Sequence, residues 1–277
     1  MIKSLGRVLF AKALAAFVGC ALAWGLASPA FSHEAPTTVV ELYTAQGCAP
    51  CDKVERLVNR LAERRGIVAL TFPVDYWDYL GWPDTFAEPE FTLRQKAYDH
   101  RFDLSDVYTP QVIVDGEIQG SGAAPGGLAE MIDKARLRRL DPPQMRFLTR
   151  NRVAVGSARR PRGGAEVWLI RFDPKVQEVA VKTGDNRGRT IIERNVVRQL
   201  VRLGRWEGRP ALYRTPPPPA GELSTLVLLQ ASHGGRILGI LQRQPTPDDP
   251  TSVQPAPKRQ ARLDRNLRSR RKDHAAA

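Results

Sequence analysis

Sulfur and imidazole side chains are scarce in this chain, which has three cysteines and four histidines among 277 residues. Cys20 lies in an N-terminal segment that we expect to be removed, which leaves only Cys48 and Cys51. Two thiolates cannot build a four-cysteine zinc site or a framework of several structural disulfides. The histidines are His33, His100, His233 and His274. None lies at ligand spacing to the cysteines, so we expect no metal site and no bound cofactor.

The chain also lacks an apolar run long enough to favour a membrane span. Residues 13–27 are apolar and alanine-rich, and three basic residues precede them. Small residues allow cleavage after Ala30 or after Ser32. This pattern is typical of a secretory signal peptide over residues 1–32, with an uncleaved membrane anchor as the alternative. We therefore expect a periplasmic or secreted protein.

Acidic residues are fewer than basic ones, 29 against 42, so the formal net charge is +13. Residues 258–273 hold eight basic and two acidic residues, a net charge of +6, behind a polar stretch punctuated by prolines. We expect residues 243–277 to form a disordered basic tail. An exported protein rarely meets nucleic acid, so we expect no nucleic-acid partner. Weak contact with anionic lipid or the cell envelope is the role that such a tail allows.

Cys48 and Cys51 lie between a strand pattern and a helix pattern. Residues 38–43 form an apolar, strand-like run, and residues 52–65 carry an apolar stripe at helical spacing. Cys48 would lie at the helix N-terminus, where unpaired N–H groups and the macrodipole favour a thiolate. Cys51 follows one helical turn later, close enough to resolve a mixed disulfide. In an exported protein this pair is either a redox centre or an inert local disulfide.

Further strand and helix patterns follow the dithiol. Residues 67–74 are apolar almost throughout, which predicts a buried parallel strand. The next predicted elements are a helix over 89–101, hairpin strands over 111–115 and 117–120, and a helix over 128–139. Short strands are predicted over 152–155, 165–172, 176–182, 224–231 and 236–241. Residues 190–203 mix strand-like and helix-like character and stay unassigned.

The resulting order, β-α-β-α-β-β-α with a dithiol after the first strand, resembles the thioredoxin fold. Thr109-Pro110, just before the predicted hairpin, matches the proline of that fold. A closer resemblance is to a bacterial exported family known as domain of unknown function 1223. Its motifs correspond to residues 41–51, 74–82, 107–111, 184–186 and 195–198. Ala49-Pro50 departs from the small polar pair that is usual in that family.

The resemblance implies an α/β chain in two parts, a thioredoxin-like domain over residues 37–141 and a smaller, sandwich-like β-rich domain over residues 145–242. It implies that Pro110 is cis and that the Thr109 backbone binds an extended substrate segment. Thioredoxins carry a buried acid near the position of Glu41, which accepts a proton when the second thiol attacks. On an alternating strand, Glu41 could equally face outward.

An aromatic segment lies between the dithiol and Pro110. Its large rings belong to Tyr76, Trp77, Tyr79 and Trp82. Tyr76, Trp77 and Trp82 could line a groove for a peptide-like substrate, or they could form the core of the segment. Asp84 and its acidic neighbours do not match a calcium-binding loop, and we expect them to be solvated or to cap turns.

These features predict an exported thiol–disulfide oxidoreductase-like protein. Cys48 would attack a disulfide of a protein or peptide substrate, Cys51 would resolve the mixed disulfide, and an unidentified redox partner would complete the cycle. One alternative is a non-catalytic thioredoxin-fold binding or scaffold protein with a structural dithiol. A second alternative is a copper-handling protein, which would need ligands beyond the two thiolates. The direction of exchange does not follow from the sequence.

Overall fold

The computed structural model describes residues 37–137 and 141–244. The predicted signal peptide and residues 245–277 of the predicted tail lie outside the described residues. The described part contains the helices α1 (Cys51–Leu61), α2 (Pro89–Phe102) and α3 (Gly127–Arg136) and a short 3₁₀ helix (Asp78–Leu80). No helix in this part has both the length and the apolar character needed to cross a bilayer.

The first four strands match the predicted order. They are β1 (Thr38–Thr44), β2 (Ile67–Pro73), β3 (Gln111–Val114) and β4 (Ile118–Gly120). β1 pairs in parallel with β2 and antiparallel with β3, and β3 and β4 form the predicted hairpin. Both faces of β1 and β2 are buried, which is why both segments are apolar at nearly every position.

Nine more strands follow. They are β5 (Met145–Thr149), β6 (Arg152–Val155), β7 (Ala165–Asp173), β8 (Gln177–Ala180), β9 (Thr190–Glu193), β10 (Val196–Trp206), β11 (Ala211–Arg214), β12 (Ser224–Ala231) and β13 (Ile237–Arg243). The unassigned residues 190–203 therefore form β9 and most of β10. The sequence patterns also missed β5 and β11, which are short and have several exposed residues.

One sheet of eight strands runs through both predicted domains, in the order β13-β12-β7-β10-β2-β1-β3-β4. β10 joins β2 in parallel through the pair Val196 and Thr71. The expected separation into a thioredoxin-like part and an independent β-rich part is therefore not seen in the sheet. The physical reason is that the outer edge of β2 needs hydrogen-bond partners, and β10 supplies them.

Apolar clusters cover the sheet on both faces. α1 and α3 pack on one face of β1 and β3, around Val40 and Leu42. α2 packs on the other face, where Tyr43 and Phe91 share a cluster with β7 and β12. A three-stranded sheet, β11-β6-β5, packs on the far part of the large sheet around Trp206. The predicted sandwich-like packing thus exists, but one of its two layers is the large sheet itself.

Candidate functional site at the dithiol turn

The dithiol lies at the turn between β1 and α1. Cys48 and Cys51 form a disulfide with a Cα–Cα distance of 5.4 Å. The Cys48 N–H donates to the Ala45 carbonyl, and the Cys51 N–H donates to the Cys48 carbonyl. The helix begins at Cys51, after Pro50 in helical conformation. Cys48 therefore precedes the first helical turn, where proline suits the chain because its missing N–H would be unpaired.

Both cysteines are fully buried, with 0% exposure each. They belong to the apolar cluster of α2, β1 and β2, and the partly buried Tyr76 and Trp77 pack against that cluster. Trp77 also lies next to Gly47, where an added Cβ would meet the Trp77 Cβ at 4.0 Å. Access to the disulfide from solvent would therefore require movement around the dithiol turn.

Pro110 lies at the same end of the sheet as the dithiol. The Thr109–Pro110 peptide bond is cis, as the resemblance implied. β3 starts at Gln111, opposite Tyr43 of β1, so the antiparallel register brings Pro110 beside Thr44. The dithiol turn begins at the next residue of β1. Thr109, Pro110 and the dithiol therefore share one edge of the molecule.

Polar atoms without hydrogen bonds collect near this edge. They are the Thr109 Oγ1, the Trp77 Nε1, the Gln95 Oε1, the Gln111 Nε2 and the Tyr76 hydroxyl, all buried. Burial raises the pKa of Tyr76 to about 12, and the nearby Gln95 and Thr109 side chains oppose that rise without completing a well-formed hydrogen bond. Buried polar atoms are normally paired, so this group can accept hydrogen bonds from, and donate them to, a polar ligand.

The aromatic segment does not act as one surface. Tyr76 and Trp77 face the dithiol cluster, whereas Tyr79 is 82% exposed. The Trp82 indole N–H donates to the Gln46 side-chain oxygen at 3.1 Å. Trp82 therefore supports the dithiol turn from another side. The structure brings Tyr76 and Trp77 together with Thr109, and it places Trp82 elsewhere.

Glu41 is buried rather than turned outward. The Arg94 Nε and Nη2 donate to its two oxygens at 2.7 Å and 2.8 Å. The Tyr98 and Tyr43 hydroxyls donate one hydrogen bond to each oxygen. Burial, with Glu41 adding to it, raises the pKa of Tyr43 well above its usual value. Each Glu41 oxygen thus accepts two hydrogen bonds, so the side chain serves as one half of a buried ion pair.

A buried acidic cluster, Glu55, Asp84 and Glu193, surrounds Gln46 on the other side of the dithiol turn. The Gln46 N–H donates to the Asp84 Oδ2 at 2.7 Å, and its side-chain amide donates to the Glu193 Oε2 at 3.0 Å. The Thr44 hydroxyl donates to the Glu55 Oε1. Asp84 is 3% exposed, so the expectation that it is solvated was wrong.

Burial raises the pKa of all three carboxyl groups. The pKa of Glu55 rises to about 7, although the Thr44 hydrogen bond opposes the rise. The pKa of Asp84 rises to about 6 against two backbone N–H donors. Burial and repulsion by the other two carboxylates raise the pKa of Glu193 well above its usual value. A single sequence signal pointed to this cluster, the position of Glu55 four residues after Cys51 on the buried helix face.

Two asparagines of the quoted motifs have structural partners. The Asn186 amide donates to the Gln46 carbonyl at 2.9 Å. The Asn195 amide donates to the Ala69 carbonyl at 2.8 Å, and Asn195 has a φ of 52°. Lys53, by contrast, is exposed and donates to the Ala123 carbonyl. In the described part of the chain, no three Cys, His, Asp or Glu side chains are grouped to hold a metal ion.

Comparison with known proteins gives the relationships of the chain. A crystal structure of protein AGR_C_4864 from Agrobacterium tumefaciens is similar, with 26% sequence identity and a TM-score of 0.61. The match covers 81% of this chain and 100% of that chain. No curated protein matches. The family described as "Protein of unknown function (DUF1223)" matches residues 39–230. Since that match spans most of the chain, the protein belongs to this family of unknown function, as its motifs predicted.

Proposed function

We propose that this protein is an exported thiol–disulfide oxidoreductase-like protein with a thioredoxin-like fold. The observation that carries the proposal is the position of the disulfide, at the turn between the central strand β1 and α1. The neighbouring strand order β2-β1-β3-β4 and the cis Thr109–Pro110 bond at the same edge support it. Substrates would be disulfides or thiols of proteins or peptides.

In this mechanism the reduced Cys48 thiolate attacks a client disulfide, and Cys51 then attacks Cys48 to release the client. An extended client segment would lie beside Thr109 and Pro110. The unpaired atoms of Thr109, Tyr76 and Trp77 would exchange hydrogen bonds with its backbone. Because both cysteines are buried, the client can reach Cys48 only after Tyr76 and Trp77 move.

The same burial favours a second candidate function. A disulfide with no solvent exposure is protected from thiol attack, as structural disulfides are. In that case the protein would be a binding or scaffold protein, and the disulfide would fix the turn between β1 and α1. The unpaired polar atoms near Thr109 would then bind a partner without any covalent step.

The reduction potential of the disulfide, together with the pKa of Cys48, distinguishes the two functions. Equilibration with thiol redox buffers should give a potential above about −300 mV, the upper range of structural disulfides. The Cys48 thiol should have a pKa below about 8.5, the value of a free cysteine. A lower potential combined with an ordinary Cys48 pKa would support the scaffold function instead.

A trapping experiment tests the same proposal in cells. Cys51→Ser should accumulate mixed disulfides through Cys48, because the resolving thiol is missing. Cys48→Ser is the matched control and should trap nothing, although it carries the same conservative change. Equal trapping by both variants, or by neither, would count against the redox function.

A further inference from the structure

The dithiol needs a proton acceptor, and the expected one is occupied. When Cys51 resolves a mixed disulfide, its thiol must lose a proton. Glu41 already accepts two hydrogen bonds at each oxygen, from Arg94, Tyr98 and Tyr43. It has no free lone pair directed at a new donor. The proton must therefore go elsewhere.

Glu55 has the right place for this role. It lies four residues after Cys51 in α1, and both residues are on the buried face of the helix. Residues four apart lie on the same face of a helix, with Cβ atoms about 5–6 Å apart. Helical side chains also lean toward the N-terminus, which directs Glu55 toward the turn that contains Cys51. The single hydrogen bond from Thr44 leaves the second oxygen of Glu55 available.

The surroundings of Glu55 hold its proton loosely bound near neutral pH. Burial is the main cause, and the carboxylates of Asp52 and Asp84 add to it, while Arg56 opposes them. The Glu193 Oε1 is buried without any hydrogen-bond partner, in the same acidic cluster. An unpaired carboxyl oxygen is costly in a protein interior unless a proton or a polar group satisfies it.

We propose that Glu55, backed by Asp84 and Glu193, exchanges a proton with the Cys51 thiol whenever the disulfide is reduced or re-formed. This inference rests on the redox function proposed above. In the resolving step, the Cys51 thiol transfers its proton to the Glu55 carboxylate, and its sulfur forms a bond with the Cys48 sulfur. The bond between Cys48 and the client breaks, and the client sulfur leaves with the electron pair as a thiolate. The dithiol loses two electrons, the client disulfide gains them, and the Glu55 proton passes to the client thiolate or to solvent.

Several charged groups face this site and take part in its pH dependence. They are Asp52 and Arg56 of α1, Asp84 before α2, Glu193 of β9 and Arg198 of β10. A Cys48 thiolate adds negative charge only in the reduced protein, so it raises the proton affinity of the cluster in that state. Reduction should therefore take up an extra proton between the pKa of Glu55 in the oxidised protein and its higher value in the reduced protein.

The test is the reduction potential as a function of pH, measured for the full-length protein with thiol redox buffers. The series runs from about pH 5 to about pH 9, which brackets the reference pKa values of carboxyl and thiol groups. For the wild type, the plot should steepen above about pH 7. One extra proton changes the equilibrium constant by a further tenfold per pH unit, which is about 30 mV for two electrons.

Glu55→Gln should remove this steeper section, because the amide cannot take up the proton. Glu130→Gln is the matched control, since Glu130 is an exposed glutamate of α3 paired with Lys134, and it should behave as the wild type. The inference is overturned if Glu55→Gln and the wild type give the same plot while the wild type still exchanges with redox buffer. If the wild-type disulfide does not exchange at any pH, the redox function itself fails.

A second measurement needs no variant and guards against misfolding of Glu55→Gln. Infrared difference spectra of the wild type, reduced minus oxidised, should show a larger signal from protonated carboxylic acid near pH 7. Asp84→Asn removes a neighbouring negative charge and should move that change to lower pH. A difference spectrum without any carboxylic acid signal would contradict the inference.

Discussion

At the scale of single residues, the ion pair of Glu41 and Arg94 is the most consequential buried interaction. The two side chains are 1% and 3% exposed, and Arg94 also lies 5.4 Å from the centre of the Trp168 ring. Removal of one partner from a buried pair leaves an uncompensated charge, which costs about 3–5 kcal/mol. Arg94 thereby links α2 to strands of both predicted domains.

Arg94→Met should therefore destabilise the protein by about 3–5 kcal/mol, measured by urea unfolding at neutral pH. The double variant Glu41→Leu with Arg94→Met should regain much of that loss, because no charge is then left unpaired. Lys134→Met, which breaks an exposed helical pair, is the control and should leave the unfolding midpoint unchanged. A loss as small as that of the control would show that Glu41 finds another cation.

Glu55 leads to a prediction about stability and pH. Its pKa is about 7 in the folded protein against a usual value of 4.5. The folded state therefore binds this proton more tightly than the unfolded state, so the contribution is fully present below about pH 4.5 and is lost as pH rises through about 7. The whole contribution is about 3 kcal/mol.

Glu55→Gln should lack this contribution to the pH dependence. The free energy of unfolding of the variant minus that of the wild type should rise by about 3 kcal/mol between about pH 4.5 and pH 8, in urea titrations of the oxidised proteins. Glu130→Gln should give a difference that does not change with pH. A constant difference for Glu55→Gln would mean that Glu55 is already ionised at low pH.

At the scale of elements, the junction between β2 and β10 decides how the two halves join. The Thr71 N–H donates to the Asn195 carbonyl, and the Thr71 hydroxyl donates to the Arg194 carbonyl. Asn195 adopts a left-handed conformation and donates its amide to the Ala69 carbonyl. Asparagine tolerates this conformation better than most residues, so both its backbone and its side chain suit the junction.

Two substitutions separate these contributions. Asn195→Gly keeps the backbone conformation and loses the hydrogen bond, so it should destabilise by about 1 kcal/mol. Asn195→Ala loses the hydrogen bond and adds backbone strain, for a total of about 2–3 kcal/mol. Urea unfolding gives both values, and hydrogen exchange of the Thr71 amide reports whether the junction opens. Equal losses for the two variants would show that the left-handed conformation is relaxed at little cost.

At the scale of the whole molecule, the continuous eight-stranded sheet implies that the described residues unfold together. β7, β10 and β12 are interior strands of the same sheet as β1 and β2. The cluster around the dithiol includes Ile170 of β7 and Leu226 of β12 as well as Tyr43 of β1. Separation of the two halves would expose this cluster and the edge of β2.

We therefore expect the buried amides of β1 and β12 to exchange with solvent through the same global unfolding. Native-state hydrogen exchange in increasing urea should give both strands one free energy and one denaturant dependence. The exposed strand β5 serves as an internal control and should exchange by local opening. A lower free energy for β12 than for β1 would instead indicate two independently folding domains.

The local patterns of the sequence were sufficient for much of the first half. The spacing of Val54, Val58 and Leu61 predicted α1, and the apolar run at residues 67–74 predicted β2. The patterns were insufficient for β5 and β11, because strands with several exposed residues lack a clear apolar signal. β9 and β10 stayed unassigned because the mixed pattern over residues 190–203 suits helix and strand alike.

By itself, the sequence determined that two cysteines lie at a turn between a strand and a helix, with Thr109-Pro110 ahead of a hairpin. These features depend on residues close together in the chain, where spacing and turn chemistry act directly. Only the tertiary structure decided that the disulfide is buried, that Arg94 pairs with Glu41, and that Glu193 meets Glu55 and Asp84. Such contacts join residues 53 or more positions apart in the case of Arg94. They depend on strand pairing and burial, which no local pattern encodes.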